Sequence, residues 1–147
     1  MKFSRAFTMV EMVFVIVVLG ILAAIAVPRM AATRADAEIT KGRADIASVR
    51  SGIVSERQGR LIQGQTSWIT AANLDSGGLF GGVLMYPVAN ESGKNGKWSA
   101  TAGSGTYVFR ANNVSTTFTY YPADSGSNKA GTFTCAAGSG NCDILTN

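Results

Sequence analysis

Glu11 is the residue in this chain with the most chemistry to explain, because of where it stands. It is the one charge between Phe7 and Val27, in a run otherwise made almost wholly of Val, Ile, Leu, Ala, Phe and Met. A carboxylate at the edge of an apolar span is expensive to hold, and it is a functional candidate by default. A cationic partner is what would stabilise it there. A plainer reading stands beside this one: an ordinary anchor whose acid snorkels toward the headgroups. The rest of the chain narrows the chemistry by omission. It contains no His, so Ser-His-Asp and Cys-His catalysis and imidazole-ligated metal sites are excluded. No nucleophile–base pair, metal cluster or phosphate-cradling loop appears. No catalytic residue, metal or cofactor is therefore assigned, and the chain is not expected to be an enzyme.

The element that must position Glu11 is the run itself. As a helix rising about 1.5 Å per residue it spans roughly 30 Å, the thickness of a bilayer's hydrocarbon core. It is apolar all round rather than on one stripe, which marks a membrane span more than a soluble core helix. Lys2 and Arg5 precede it, so the N-terminus is expected to stay cytoplasmic and everything after Pro28 to be exported. Cys135 and Cys142 would then lie in an oxidising compartment, where two nearby thiols pair. Closing that small ring restricts the unfolded chain by about 2–3 kcal/mol on the loop-entropy argument. The net charge is +4, much of it in the leader, too small a bias to argue for nucleic acid.

Within the span, Gly20 and Ala24 lie four apart, a small-xxx-small pattern that permits close helix approach, although both residues are common in any membrane helix. Pro28 has no amide hydrogen and crowds the carbonyl of Ala24, so a kink is expected there. Three fates are open to the N-terminus. It is an uncleaved anchor; or a secretory signal cut after Ala24-Ile25-Ala26, although the apolar stretch is long for one and Glu11 interrupts its start; or it is cut on the cytoplasmic side, leaving the hydrophobic helix at a new N-terminus.

The third fate is where a resemblance enters. Arg5-Ala6-Phe7-Thr8-Met9-Val10-Glu11-Met12, followed by Val-Phe-Val-Ile-Val-Val-Leu-Gly-Ile-Leu-Ala-Ala-Ile-Ala-Val-Pro, closely resembles the class III signal of type IV pilins and type II secretion pseudopilins. The resemblance is dense over residues 5–29, faint over the next helix and absent from the C-terminal half. It implies that a prepilin peptidase cuts the Ala6–Phe7 bond and that the new Phe7 amine is methylated. Gly usually precedes the cut in that family, and Ala6 departs from it. The resemblance further implies that Glu11 meets the N-terminal amine of a neighbouring subunit, favouring one axial register. Its implied partners are copies of the chain and related pilins or pseudopilins, the peptidase, an inner-membrane assembly platform, and lipid before assembly. The implied location is the bacterial inner membrane, single-pass with the head periplasmic, and then the pilus or pseudopilus.

Beyond Arg29 the pattern turns amphipathic. Ile39, Ile46, Val49 and Ile53 form one helical stripe, and a helix is expected to end near Gln58-Gly59. Gly42 and Gly52 weaken it, so tertiary contacts must hold it. Arg43, Arg50 and Arg57 recur every seven residues beside the stripe. They read as a solvated rim, with contact to a neighbouring subunit or to DNA as the sharper alternative. Trp68-Ile69 and Leu79-Phe80 are apolar anchors in a connecting loop, and Asn90 to Lys97 is a polar turn region. Strand alternation follows at Thr106–Arg110, Ser115–Tyr121 and Thr132–Cys135, with Asn112-Asn113 suited to a hairpin. Three or four antiparallel strands would lay Tyr107, Phe109, Phe118, Tyr120 and Phe133 on the helical stripe. The expected fold is α+β and pilin-like: leader 1–6, membrane helix 7–28, amphipathic helix 29–62 and sheet head 63–147.

Two loops carry further candidate chemistry. Asp124-Ser-Gly-Ser-Asn128 offers alternating oxygens but lacks the remaining ligands of a calcium loop, so it reads as a turn. The Cys135–Cys142 loop resembles the disulfide-bounded C-terminal region of type IV pilins. It is either an exposed contact surface or a pin for the last strand, with Ile144-Leu145 tucked into the head. The leading function is a structural subunit that polymerises through its N-terminal helix. A minor pilin or competence pseudopilin touching DNA or a surface at a filament tip is the second class. A secreted monomer is the third.

Overall fold

The computed structural model describes residues 7–147, the side chains of residues 27–32 excepted. Helix α1 runs Met9–Ile62, followed by a single turn α2 at Ala71–Leu74. Strands β1 Lys97–Ala100, β2 Thr106–Ala111, β3 Val114–Tyr121 and β4 Thr132–Cys135 come next, then a short helix α3 at Cys142–Thr146. The sheet is an antiparallel meander in the order β1-β2-β3-β4. The fold is thus α+β, a long helix beginning in apolar sequence and followed by a small four-stranded sheet. The chain divides at Asp36/Ala37 into two compact units.

The second unit is built on the meeting of one helix stripe with one sheet face. Strand alternation sends Trp98, Tyr107, Phe109, Phe118, Tyr120 and Phe133 inward, where all six are buried. Register sets them side by side: Trp98 opposite Phe109, Tyr107 opposite Phe118, Tyr120 opposite Phe133. Ile46, Val49 and Ile53 of α1 are buried against them, with Ile39 at the margin. The two-residue β2–β3 turn uses Asn112 and Asn113 at φ 51° and 61°, the backbone of a type I′ hairpin. Phe80 also takes a positive φ, 60°, which a bulky side chain rarely adopts. Its ring lies edge-on to Trp98 and Phe133 at 5.6 Å and tilted over Tyr107 at 4.5 Å, so dense aromatic contact offsets the backbone cost.

Three expectations need correction. The helix does not stop at Gln58-Gly59 but continues to Ile62. It ends on Gly64 at φ 77°, whose N–H donates to Leu61 O while Gln65 N–H donates to Arg60 O. That is a Schellman stop, and Gly59, inside the helix, is passed because a glycine ends a helix only where the chain turns left-handed. The polar region ending at Lys97 gives way to a strand at Lys97 itself, pinned by Asn90 and Glu91, with Glu91 N–H donating to Trp98 O at 2.8 Å. The arginine row is not only a solvated rim, although Arg43 stays exposed. Arg43 Nε donates to Ile144 O at 2.7 Å, Arg50 Nε donates to Phe133 O at 3.0 Å, and Arg57 lies 5.1 Å over the Trp68 ring. Strand β4 is a sheet edge, and Arg50 reaches across the seam to its Phe133 carbonyl, while Arg43 reaches a carbonyl of α3.

Asp75 is a buried carboxylate that the sequence pattern does not single out. Its Oδ1 accepts from Tyr107 Oη at 3.0 Å and from Phe80 N–H, and its Oδ2 accepts from Gly103 N–H at 2.9 Å. Burial, with the adjacent carboxylate reinforcing it, pushes the Tyr107 phenol far above its ordinary value, so it remains a donor at every physiological pH.

The helix glycines separate into two kinds. A Cβ on Gly42 would run into the Phe109 ring and come within 2.8 Å of Leu145, so Gly42 lets helix and sheet approach closely. Around Gly59 there is open space. Gly42→Ala is expected to cost about 1–3 kcal/mol by overpacking, whereas Gly59→Ala should stabilise by about 0.5–1 kcal/mol through backbone entropy. Urea midpoints of the full chain in detergent check the opposite signs.

Candidate functional site

The candidate site is the start of α1. Thr8 is the residue before the first helical residue, Met9, and Glu11 stands three positions after it. The two side chains close a reciprocal capping box. Glu11 N–H donates to Thr8 Oγ1 at 3.2 Å, and Thr8 N–H donates back to Glu11 Oε2 at 2.9 Å. The Thr8 hydroxyl itself donates to the same Oε2 at 2.8 Å. Amide hydrogens at a helix start have no partner within the helix, so this arrangement satisfies two of them. The negative charge also sits at the positive end of the helix dipole. Both contacts fall on Oε2, and Oε1 has no partner among the described residues.

Every residue of the span from Met9 to Ala26 is exposed in the isolated chain, although the span is long and apolar enough to cross a membrane. Gly20 has nothing within 4 Å of where a Cβ would stand, and Ala24 is equally open, so both offer a bare face. Phe7 is described and exposed just before the helix. Ala6 of the expected cleavage bond lies outside the described residues. At Pro28, where a kink is expected, the helix assignment runs through without a break. The structure therefore brings Phe7, Thr8 and Glu11 to one helix end.

Cys135 and Cys142 belong to the second unit and form a disulfide with Cα atoms 5.9 Å apart. Both are buried, and so is Leu145, while Ile144 stays half exposed; of the two residues expected to tuck in, one does. Asn141 N–H donates to Thr116 Oγ1 at 2.8 Å and its side-chain amide donates to Ala111 O, so the loop pins α3 beneath the sheet. Asp124 accepts from Ala130 N–H at 2.8 Å and pairs with Lys129, which spends its carboxylate on a turn.

Thr8 is the capping residue of this helix start that sequence reasoning misses. Its signal is present in the chain: a Thr three residues before a Glu at the head of an apolar run.

Residues 1–27 match the family model described as the prokaryotic N-terminal methylation motif, the signature of type IV pilins and pseudopilins. The match takes in the apolar start of α1 and covers residues 1–27 of 147, so it supports a prepilin-type N-terminal signal and suggests membrane anchoring. The motif implies a prepilin peptidase as processing partner and pilin–pilin assembly in general. No curated protein and no solved structure matches the chain.

Thr8→Ala should lower hydrogen-exchange protection of the Glu11 amide about fivefold, a cap worth about 1 kcal/mol, and Thr8→Ser should retain it. Reducing the Cys135–Cys142 bond should cost the second unit about 2–3 kcal/mol in denaturant titration, with exchange rising first at residues 142–146.

Proposed function

We propose that the chain is a membrane-anchored structural subunit, not an enzyme. It is cleaved between Ala6 and Phe7, methylated on the Phe7 amine, and polymerised through its N-terminal helix into a type IV pilus or type II secretion pseudopilus. Before assembly it spans the bacterial inner membrane once, with its N-terminus cytoplasmic and its head periplasmic. The observation that carries this reading is an apolar helix whose residues Met9 to Ala26 are all exposed among the described residues, with a single carboxylate in its first turn. Such a helix is stable either in lipid or among copies of itself.

Glu11 chooses the register between copies. Opposite charges about 4 Å apart attract by about 4 kcal/mol at an effective dielectric near 20, and an unpaired carboxylate in the filament core is penalised. Only Oε2 is used in capping, so Oε1 remains for the amine of a neighbouring Phe7 without unravelling the turn. Gly20 and Ala24 supply the flat strip on which an adjoining helix packs closely. The disulfide-bounded C-terminal segment favours the pilus over the secretion pseudopilus.

Two experiments test this. Intact mass of the membrane-extracted protein should show a product beginning at methylated Phe7 only where the peptidase is present; retention of Met1 or a start at Val27 would defeat the reading. Glu11→Ala should leave the processed protein in the membrane and reduce filaments to background, and normal filament yield would remove Glu11 from the mechanism.

A further inference from the structure

Glu56 stands apart among the acids of this chain. All nine Asp and Glu side chains lie in the described residues, and eight of them have a partner there. Glu56 has neither a hydrogen bond nor an ion pair among the described residues, although it is half-buried. It lines a cavity of about 300 Å³, walled by Gly52 and Ser55 of α1 and by Gly81, Gly82 and Val83 of the loop beside the helix. Gly52 permits that approach, since a Cβ there would come within 2.7 Å of Val83 O. A partly desolvated carboxylate without a donor calls for a cation. Arg60, one turn further along α1, does not supply it; Arg60 lies near the Tyr120 phenol, with its Nε enclosed.

A matching cation stands elsewhere on the same unit. Arg110 of β2 sits between buried Phe109 and buried Ala111, which puts it on the outer side of the sheet. Its guanidinium has no partner among the described residues, and its Nε is enclosed and unsatisfied. Lys97 is directly opposite it on β1, and like charges so placed repel. Glu91 gives one oxygen to Lys97 and the other to Lys94, so neither is left for Arg110. Arg110 also stands at the level of Glu38, which accepts from the Asn112 N–H two residues on. Glu56 is eighteen residues beyond Glu38, about 27 Å further along the helix.

We propose that Arg110 of one copy enters the Glu56 cavity of the next, so that two copies meet head to tail. The contact rests on the filament reading above. Copies that point the same way cannot exchange this pair reciprocally, because its two halves lie at different heights. Each copy therefore keeps one half open for a further copy, and the contact propagates rather than closes. A free ion could satisfy either half alone, but it would leave apolar surface uncovered beside the cavity. Met85 and Tyr86, following Leu84 of the cavity wall, are 89% and 80% exposed, and such apolar exposure marks a protein contact. The pair contributes register more than affinity, since like charges forced together cost more than an exposed pair gains.

The test compares filaments sheared from cells carrying the full chain with Glu56→Arg, Arg110→Glu or both. Each single exchange should lower filament yield about tenfold or more, and the double exchange should return it to within about threefold of the parent. Membrane level and the intact Cys135–Cys142 bond confirm folding. Should a single exchange fail to fold, Arg110→Lys decides. Carbodiimide treatment of its filaments should join residue 56 to residue 110 through an amide, and detergent-dispersed monomer should give no such crosslink. Filaments without that crosslink, single exchanges at parental yield, or a double exchange no better than either single would each overturn the proposal and leave the filament reading intact. Absence of filaments from the parent chain would remove both. Loss of duplex DNA retention in Arg110→Glu at unchanged filament yield would assign Arg110 to nucleic acid and overturn the contact.

Discussion

One constraint governs this chain: α1 is a single helix whose residues change along its length from apolar on every side to apolar on one stripe. Its first part, through Ala26, is exposed among the described residues and apolar on every side. From Ala37 onward only one stripe is apolar, and it is buried under aromatic rings. Hydrophobic burial has no direction, so the stripe alone would leave the helix free to roll on the sheet. Two flanking rows prevent that, each keeping the seven-residue period of the seam. On one flank Glu38 accepts from Asn112 N–H at 2.9 Å and Asp45 accepts from Trp98 Nε1 at 2.9 Å. On the other, Arg43 and Arg50 reach carbonyls of the C-terminal segment and β4. The acids face the β1 side and the bases the β4 side, which fixes the rotation of the helix.

The same economy of charge governs the helix start. A carboxylate in an apolar span costs least when its oxygens are occupied, and the capping box occupies one of them locally. That local bond makes the first turn stiff before any neighbour arrives. Under the proposed assembly, the amine of a neighbouring subunit would meet a preorganised carboxylate rather than a flexible side chain, and less conformational entropy would be lost on pairing.

The legibility of this chain in its sequence follows the range of the interactions. Local signals are readable: the apolar run, the stripe Ile46, Val49 and Ile53, the alternation in β2 to β4, and the Asn112-Asn113 turn. What escapes a sequence reading needs contacts distant along the chain. Nothing near Asp75 announces that Tyr107, Gly103 and Phe80 will converge on it, thirty-two, twenty-eight and five residues along the chain. Arg43 has the look of a surface charge because its acceptor, Ile144 O, is 101 residues away. Gly42 reads as a weak point in a helix, whereas the Phe109 ring that requires it belongs to another element. The end of α1 is ambiguous for a different reason. Gly59 and Gly64 look alike in sequence, and only the left-handed φ at Gly64 separates them.

The pleat of β3 divides its hydroxyls by the same logic. Thr116 points inward, is wholly buried, and holds Asn141; Thr117 and Thr119, one step to either side of Phe118, point outward. An uncharged outward face is a hazard when it adjoins bare strand edges, because copies can then add to the sheet. Here each edge is engaged at one residue by a side chain. Asn90 donates to Ala100 O and accepts from Ala100 N–H along β1, and Arg50 takes the Phe133 carbonyl on β4. Strand addition is thereby discouraged at the edges while the face between them stays open. The charged side chains that usually guard such a face are instead committed to the flanks of α1, where they orient the helix.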